Sequence, residues 1–281
     1  MVQVKLADSA GFCFGVKRAV DETLKIQKDL NKKIYTLGPL IHNNDVVNFL
    51  EQNNIFAISL EDLDQLTEED TVVIRSHGVS KEVIDKIKDR GIKLVNATCP
   101  YVTNIQKKVN KYSDEGYKIV ILGDKNHPEV IGINGWCGNN AIITSKGNIE
   151  EEIPGKVCVV SQTTEKQENW KRTINNVAEL SKEFLAFNTI CSATEVRQLS
   201  ADNLSKEVDV MLVIGGKNSS NTTKLFQICS ANCKNTYHIE NIKDIDIEEI
   251  KKMSPKTVGV TAGASTPDWI ITEVLDLLKT I

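Results

Sequence analysis

A chain of 281 residues, 41% hydrophobic and 26% charged, is long enough to bury an ordinary globular core and, on length alone, suggests about two domains. Its formal net charge of −4 argues against a general nucleic-acid binder, and its longest apolar runs, 118–122 and 208–214, are strand-sized rather than the roughly 18 residues of a membrane span. Seven cysteines, an odd number behind an N-terminus (MVQVKLADS) without a signal pattern, point to metal binding or catalysis in a cytoplasmic protein rather than to a disulfide framework.

The chain opens on an apolar strand, VQVKLADSAGFCFGV, that runs to Cys13 and a helix start. A helix-like segment follows, then the buried strand IYTLG closing on Gly38, the polar loop PLIHNN and the strand VVIRSHG. The same series begins again at IKLVNATCPYV with Cys99, and passes through IVILG at Gly123, DKNHPE and VCVVSQTT. It begins a third time at FNTICSATEV with Cys191, followed by MLVIG at Gly215, GKNSSN and VGVTAGAST. Each glycine stands 24 or 25 residues beyond its cysteine. Matching the apolar runs pairs Ser76 with Ser161 and Thr261. Short β-branched strands alternating with helical patterns indicate parallel α/β units, whose ligands bind beyond the carboxyl ends of the strands. The repeat overrides the length prior. It predicts an α/β protein of three similar lobes with mainly parallel sheets around a pseudo-threefold axis. The lobes are residues 14–97, 98–190 and 191–281, with the N-terminal strand 1–13 joined to the third.

Cys13, Cys99 and Cys191 each precede a helix start, where free amides favour the thiolate, the form that binds metal. Three thiolates suit zinc with one open position, or a four-iron cluster with one iron lacking a protein ligand. The absence of a histidine from the repeated ligands leans towards iron–sulfur. Cys137, Cys158, Cys229 and Cys233 read as small buried hydrophobes. Three of the four histidines, His42, His77 and His127, fall in strand-end loops; His238 lies within a strand pattern and reads as structural. The third lobe offers Ser219, Ser220, Asn221 and Ser265, and the second Thr163 and Thr164. Any one of these hydroxyls is an ordinary helix cap; together they suit a compact, oxygen-rich anion such as a diphosphate. Glu129, at a helix start, serves either the helix dipole or proton transfer as a general acid. Neither a P-loop nor a dinucleotide fingerprint occurs, so electrons must come from an external carrier.

Nine segments carry a resemblance that covers nearly the whole chain: GFCFGVKRA, GPLIHN, RSHGV, ATCPYV, GDKNHPEVIG, SQTT, ICSATEVRQ, GGKNSSNT and TAGASTP. In this order they resemble the 4-hydroxy-3-methylbut-2-enyl diphosphate reductase family, LytB-type iron–sulfur enzymes. The resemblance implies three α/β lobes around a [4Fe-4S] cluster held by Cys13, Cys99 and Cys191, with one iron lacking a protein ligand. It implies a diphosphate pocket containing His42, His77, His127, Ser219, Ser220, Asn221 and Ser265. It makes Glu129 the proton-delivering carboxylate and Thr163 the threonine near the substrate hydroxyl. The implied reaction is reductive dehydroxylation of (E)-4-hydroxy-3-methylbut-2-enyl diphosphate to isopentenyl and dimethylallyl diphosphate, the last step of the non-mevalonate isoprenoid pathway. Its electrons would come from a one-electron donor such as ferredoxin or flavodoxin, with no nucleic-acid or membrane partner. The competing readings are a redox-neutral iron–sulfur dehydratase, a non-catalytic iron–sulfur sensor and, last, a zinc hydrolase. The chain departs from the family at Asn96, where Asp often precedes ATCP, which puts one hydrogen bond or charge near the cluster in doubt.

Overall fold

The computed structural model of the chain describes residues 2–149, 153 and 155–280. β1 (Gln3–Leu6) leads through the Cys13 loop into α1 (Phe14–Leu30). β2 (Ile34–Leu37), α2 (Asn44–Gln52), β3 (Ile55–Ile58), β4 (Thr71–Ile74), α3 (Lys81–Asp89) and β5 (Lys93–Asn96) then lead to Cys99. The second round comprises α4 (Pro100–Asp114), β6 (Lys118–Leu122), α5 (Pro128–Asn134), β7 (Ile142–Thr144), β8 (Lys156–Ser161), α6 (Gln167–Leu180) and β9 (Glu183–Ala186), and reaches Cys191. The third comprises α7 (Ser192–Ser205), β10 (Val210–Ile214), α8 (Ser220–Asn232), β11 (Thr236–Ile239), α9 (Ile247–Lys252), β12 (Thr257–Ala262) and α10 (Asp268–Leu278).

These strands form three four-stranded sheets, ordered β3-β2-β4-β5, β7-β6-β8-β9 and β11-β10-β12-β1. Every pairing is parallel. The order is the same each time, and the edge strand that leads to a cysteine always lies beside the last of the two central strands. The third sheet takes that strand from the chain's beginning: β1 pairs with β12 from Gln3↔Thr257 to Leu6↔Val260.

Strand side chains alternate between faces, so a strand covered by helices on both sides reads as a continuous apolar run. In the second sheet, Ile119, Ile121, Cys158 and Val160 pack with Ile105 and Val109 of α4 and Ile133 of α5. Their neighbours Val120, Leu122, Val157 and Val159 pack on the other face with Trp170 and Val177 of α6. The third sheet repeats the arrangement. Leu212, Ile214, Val258 and Val260 pack against α10, while Met211 and Val213 face Leu225, Cys229 and Ala201.

The chain packs as two compact units. One holds the described residues of 1–17, 41–49 and 192–281, with the third sheet; the other holds 18–40 and the described residues of 50–191, with the first and second sheets. Inside the second unit, the two lobes meet beside α5. Trp136 Nε1 donates to the Val79 carbonyl at 3.0 Å, and Gln106 Nε2 to the same oxygen at 3.3 Å. No helix among the described residues is long and apolar enough to cross a membrane.

Backbone hydrogen bonds give the correspondence between lobes. Gly38, Gly123 and Gly215 each donate their amide at 2.8 Å to the last residue of an edge strand, Ile58, Thr144 and Ile239. The second strand-end loop closes with Gly78 on Arg75, Glu165 on Gln162 and Thr266 on Gly263, at 3.0, 3.1 and 3.0 Å. Ser76 therefore corresponds to Thr163 and Ala264, and the expected match of Ser76 with Ser161 and Thr261 is wrong. Ser161 is the last residue of β8 and Thr261 lies within β12, both fully buried. The apolar runs misled because β8 and β12 carry a polar residue within the strand, where β4 remains apolar to its end. In the corrected register His77, Thr164 and Ser265 occupy one position of the repeat.

Gly123 follows β6, where a Cβ would lie 2.7 Å from Val130 Cγ2 and 2.9 Å from Gln162 Cβ. Both neighbours are buried. Gly123→Ala is expected to lower stability by about 1–3 kcal/mol through overpacking, read as a lower urea midpoint at unchanged m-value. An unchanged midpoint would show that the turn yields freely.

Candidate active site

In the unit that holds the first two lobes, α5 begins at Pro128, whose fixed φ suits a first turn. His127 caps it, its Nδ1 accepting from the Glu129 amide at 3.1 Å. An accepting Nδ1 leaves the ring proton on Nε2, which faces away from the cap as a donor. The His77 ring meets the His127 ring edge to face, with centroids 5.4 Å apart. Two imidazoles from different lobes thus stand together.

Glu129 is 2% exposed, yet both of its carboxylate oxygens are engaged. Oε1 accepts from the Thr163 amide at 2.6 Å, and Oε2 contacts the Thr163 hydroxyl at 2.7 Å. Burial without partners would make a charged carboxylate very costly; this two-point contact offsets that cost and fixes the side chain. Thr163 then accepts the Cys191 amide on its carbonyl at 2.9 Å. One residue therefore ties the buried acid to a cysteine loop. Cys99 is held similarly, its amide donating to the Ser76 carbonyl at 2.9 Å, and it stands at the N-cap of α4 with Pro100 following. Gln162 was not among the expected positioning residues. Gln162 accepts from the Asp124 amide at 3.1 Å and donates to Thr164 Oγ1 at 3.0 Å, linking DKNHPE to SQTT. Asn96 Oδ1 accepts from the Thr98 amide at 3.0 Å. An Asp oxygen can accept the same bond, so the departure at Asn96 keeps the turn and removes only the charge.

The other unit contains Cys13, His42, Ser219, Ser220, Asn221 and Ser265. The Cys13 amide donates to the Ala264 carbonyl at 3.2 Å. Its loop is anchored by Arg197, which donates through Nη2 to the Gly11 carbonyl at 2.8 Å and through Nη1 to the Ala193 carbonyl at 3.0 Å. A Cβ at Gly216 would collide with the carbonyl oxygen of His42, so the loop before α2 packs directly on the GGKNSS loop. Ser219 caps α8, its hydroxyl accepting from the Thr222 amide at 3.4 Å. Asn221 is 4% exposed, and neither its Nδ2 nor its Oδ1 has a hydrogen-bond partner among the described residues. Buried amides are almost always paired. An unanswered one on the first turn of a 13-residue helix is a group that a ligand could satisfy.

The cysteines divide by environment. Cys13, Cys99 and Cys191 are partly exposed; the other four are buried. Burial pushes Cys158 and Cys229 up to about 12, and raises Cys137 as well. Those groups hold their protons and suit packing rather than metal binding. His238 is pulled below its ordinary value by burial, and one ring nitrogen lies 3.0 Å from the Gly215 carbonyl, a structural role.

A sequence profile of the family described as LytB protein matches residues 4–279. A Clostridium perfringens protein named 4-hydroxy-3-methylbut-2-enyl diphosphate reductase is 64% identical over 276 residues, 98% of each chain. A protein of the same name from Caldanaerobacter subterraneus is 48% identical, covering 100% of this chain and 98% of that one. A Clostridium tetani relative, 59% identical, is longer: the match covers 98% of this chain and 43% of that protein. Among solved structures, one of (E)-4-hydroxy-3-methyl-but-2-enyl diphosphate reductase, described as the terminal enzyme of the non-mevalonate pathway, covers 100% of both chains at 43% identity with a TM-score of 0.74. The E-1-hydroxy-2-methyl-but-2-enyl-4-diphosphate reductase of Plasmodium falciparum superposes with a TM-score of 0.89 at 26% identity, over 99% of this chain and 88% of that one. The chain belongs to the LytB family.

Proposed function

We propose that this chain is a 4-hydroxy-3-methylbut-2-enyl diphosphate reductase, forming isopentenyl and dimethylallyl diphosphate as the last step of the non-mevalonate pathway. Family membership supports the reaction class. The single observation that carries the chemistry is the Glu129–Thr163 pair, a buried acid tied through one residue to the Cys191 loop. We take residues 14–97, 98–190 and 191–281 with 1–13 as the three lobes.

Cys13, Cys99 and Cys191 fit an iron–sulfur cofactor, being the partly exposed thiols of the chain, each held at a strand-end loop before a helix. As thiolates they would hold a [4Fe-4S] cluster with one iron lacking a protein ligand, and that cluster supplies electrons and a Lewis-acidic site. The chain's own residues do the rest. His127 donates through Nε2, and His42, His77, Thr164, Ser219, Ser220, Asn221 and Ser265 supply further polar groups to the diphosphate. An oxygen-rich anion accepts from Asn221 Nδ2, which has no partner among the described residues. Fixing the diphosphate orients the allylic hydroxyl at the other end of the substrate and lowers the barrier by orientation.

Glu129 and Thr163 pass a proton to the departing hydroxyl oxygen, which leaves as water. A second proton goes to either end of the allyl unit. In total two electrons and two protons enter, one C–O bond breaks and one C–H bond forms. The electrons come from an external one-electron carrier of the ferredoxin or flavodoxin type. The cytoplasm, where thiols stay reduced, suits this chemistry.

Anaerobically reconstituted protein given (E)-4-hydroxy-3-methylbut-2-enyl diphosphate is expected to oxidise two equivalents of reduced methyl viologen per product formed. Product without viologen oxidation would favour the redox-neutral dehydratase. Glu129→Gln is expected to keep the cluster spectrum and the substrate affinity but to lower turnover about 10²–10⁴-fold. Thr163→Val should lose turnover in the same direction, because it removes the hydroxyl and leaves one carboxylate oxygen buried without it. Undiminished turnover in Glu129→Gln would take the acid out of the proton path.

A further inference from the structure

We propose that the hollow around Arg75 is a second binding site, for a small anion carrying a short apolar group. Arg75 follows β4 and closes the loop that carries His77, through its own carbonyl and the Gly78 amide at 3.0 Å. Its side chain is half-buried, its Nε lies buried without a hydrogen-bond partner, and no described residue forms an ion pair with it. Burial pulls its pKa down from the ordinary value, but a guanidinium stays charged in a protein. A cation taken partly out of water with no counter-charge lacks the compensation that buried charges ordinarily have.

The space beside it matches that lack. A cavity of about 240 Å³ opens there, below the roughly 300 Å³ at which pockets for drug-sized ligands begin, so it suits only a small molecule. Its walls include Ile58, Leu60, Val79, Val83 and Ile131, and Arg75 is the one charged side chain among the described residues that line it. Leu60 and Ile131 are large apolar residues left 51% and 53% exposed. The guanidinium is seated against backbone: a methyl group at Gly38, which has φ +70°, would overlap it. The nearby polar side chain of Ser59 is already committed to Asp62, at 2.8 Å. A cationic end wall and apolar sides select a ligand with an anionic head and a short hydrocarbon body. Carboxylate and phosphate both suit the planar fork of an arginine. None of the residues proposed to bind the substrate lines this hollow, although Gly78 and Pro128 in its wall adjoin His77 and His127.

The test uses the full chain and four probes: 3-methylbutyl phosphate, 3-methylbutanoate, 3-methylbutanol and inorganic phosphate. Crystals soaked with the two amphiphilic anions are expected to show density with the anionic end on Arg75 and the alkyl group towards Leu60 and Ile131. Calorimetry is expected to give at least one of these anions a Kd at least tenfold below that of either half-molecule. Tighter phosphate identifies a phosphorylated alkyl compound, and tighter carboxylate an alkyl carboxylic acid. Arg75→Met, which keeps the aliphatic stem, is expected to weaken the preferred probe at least tenfold. Leu60→Glu, at an exposed position that spares the fold, is expected to weaken it at least fivefold. Absence of density at Arg75 overturns the proposal. So does affinity that falls in Asn221→Ala but is unchanged in Arg75→Met and Leu60→Glu, which would place the probe in the diphosphate pocket instead.

Discussion

The amide of each partly exposed cysteine is given to a carbonyl two residues beyond the end of the neighbouring strand. Cys99 donates to Ser76, Cys191 to Thr163 and Cys13 to Ala264, at 2.9, 2.9 and 3.2 Å. The bond continues the parallel ladder by one further step, from an edge strand into a loop. It fixes where the chain leaves the sheet, and so where the next helix begins. Each thiol is thereby left at a helix start. Shifting any strand by one residue would turn its side chains to the opposite face and carry the cysteine with them. The doubly covered apolar strands exist, in this sense, to hold three backbone amides in register.

Polar satisfaction separates two kinds of functional residue. Glu129 is buried and answered twice by Thr163. That fixes the orientation of the carboxyl group we propose passes the proton. Asn221 is buried and unanswered at both ends of its amide, which suits a group whose partner arrives with a ligand. Arg75 belongs with Asn221 in this respect, though it stands in a different hollow and carries a full charge. The same physical cost, desolvation of a polar group, is met inside the protein at one site and left unmet by the described residues at the others.

Much of this was legible in the sequence. Continuous β-branched runs exposed the three sheets because strands covered on both faces have no polar side to interrupt them. Gly38, Gly123 and Gly215 stood out as the residues that close the first loop of each lobe, and their identical amide bonds bear out that alignment. The register of the second loop was misread because hydrogen bonds between backbones leave no mark on side-chain pattern: Ser161 and Thr261 looked like loop residues but are buried within strands. Packing was also hidden. Nothing in the order of residues shows that 41–49 pack with 192–281 rather than with the strands that flank them. The unanswered amide of Asn221, the positioning role of Gln162 and the uncompensated charge of Arg75 are properties of burial, which a single sequence does not display.

The central claim is that three cysteines, equivalent by backbone bonding, hold one iron–sulfur cluster. The direct measurement is iron and acid-labile sulfide content, with the visible absorption and paramagnetic resonance spectra, of anaerobically reconstituted Cys13→Ser, Cys99→Ser and Cys191→Ser beside Cys158→Ser. The first three are expected to lose or degrade the cluster alike, while Cys158→Ser retains the full iron and sulfide of the unaltered chain. A full complement of iron and an unaltered spectrum in any of the first three would contradict the assignment of that cysteine as a ligand.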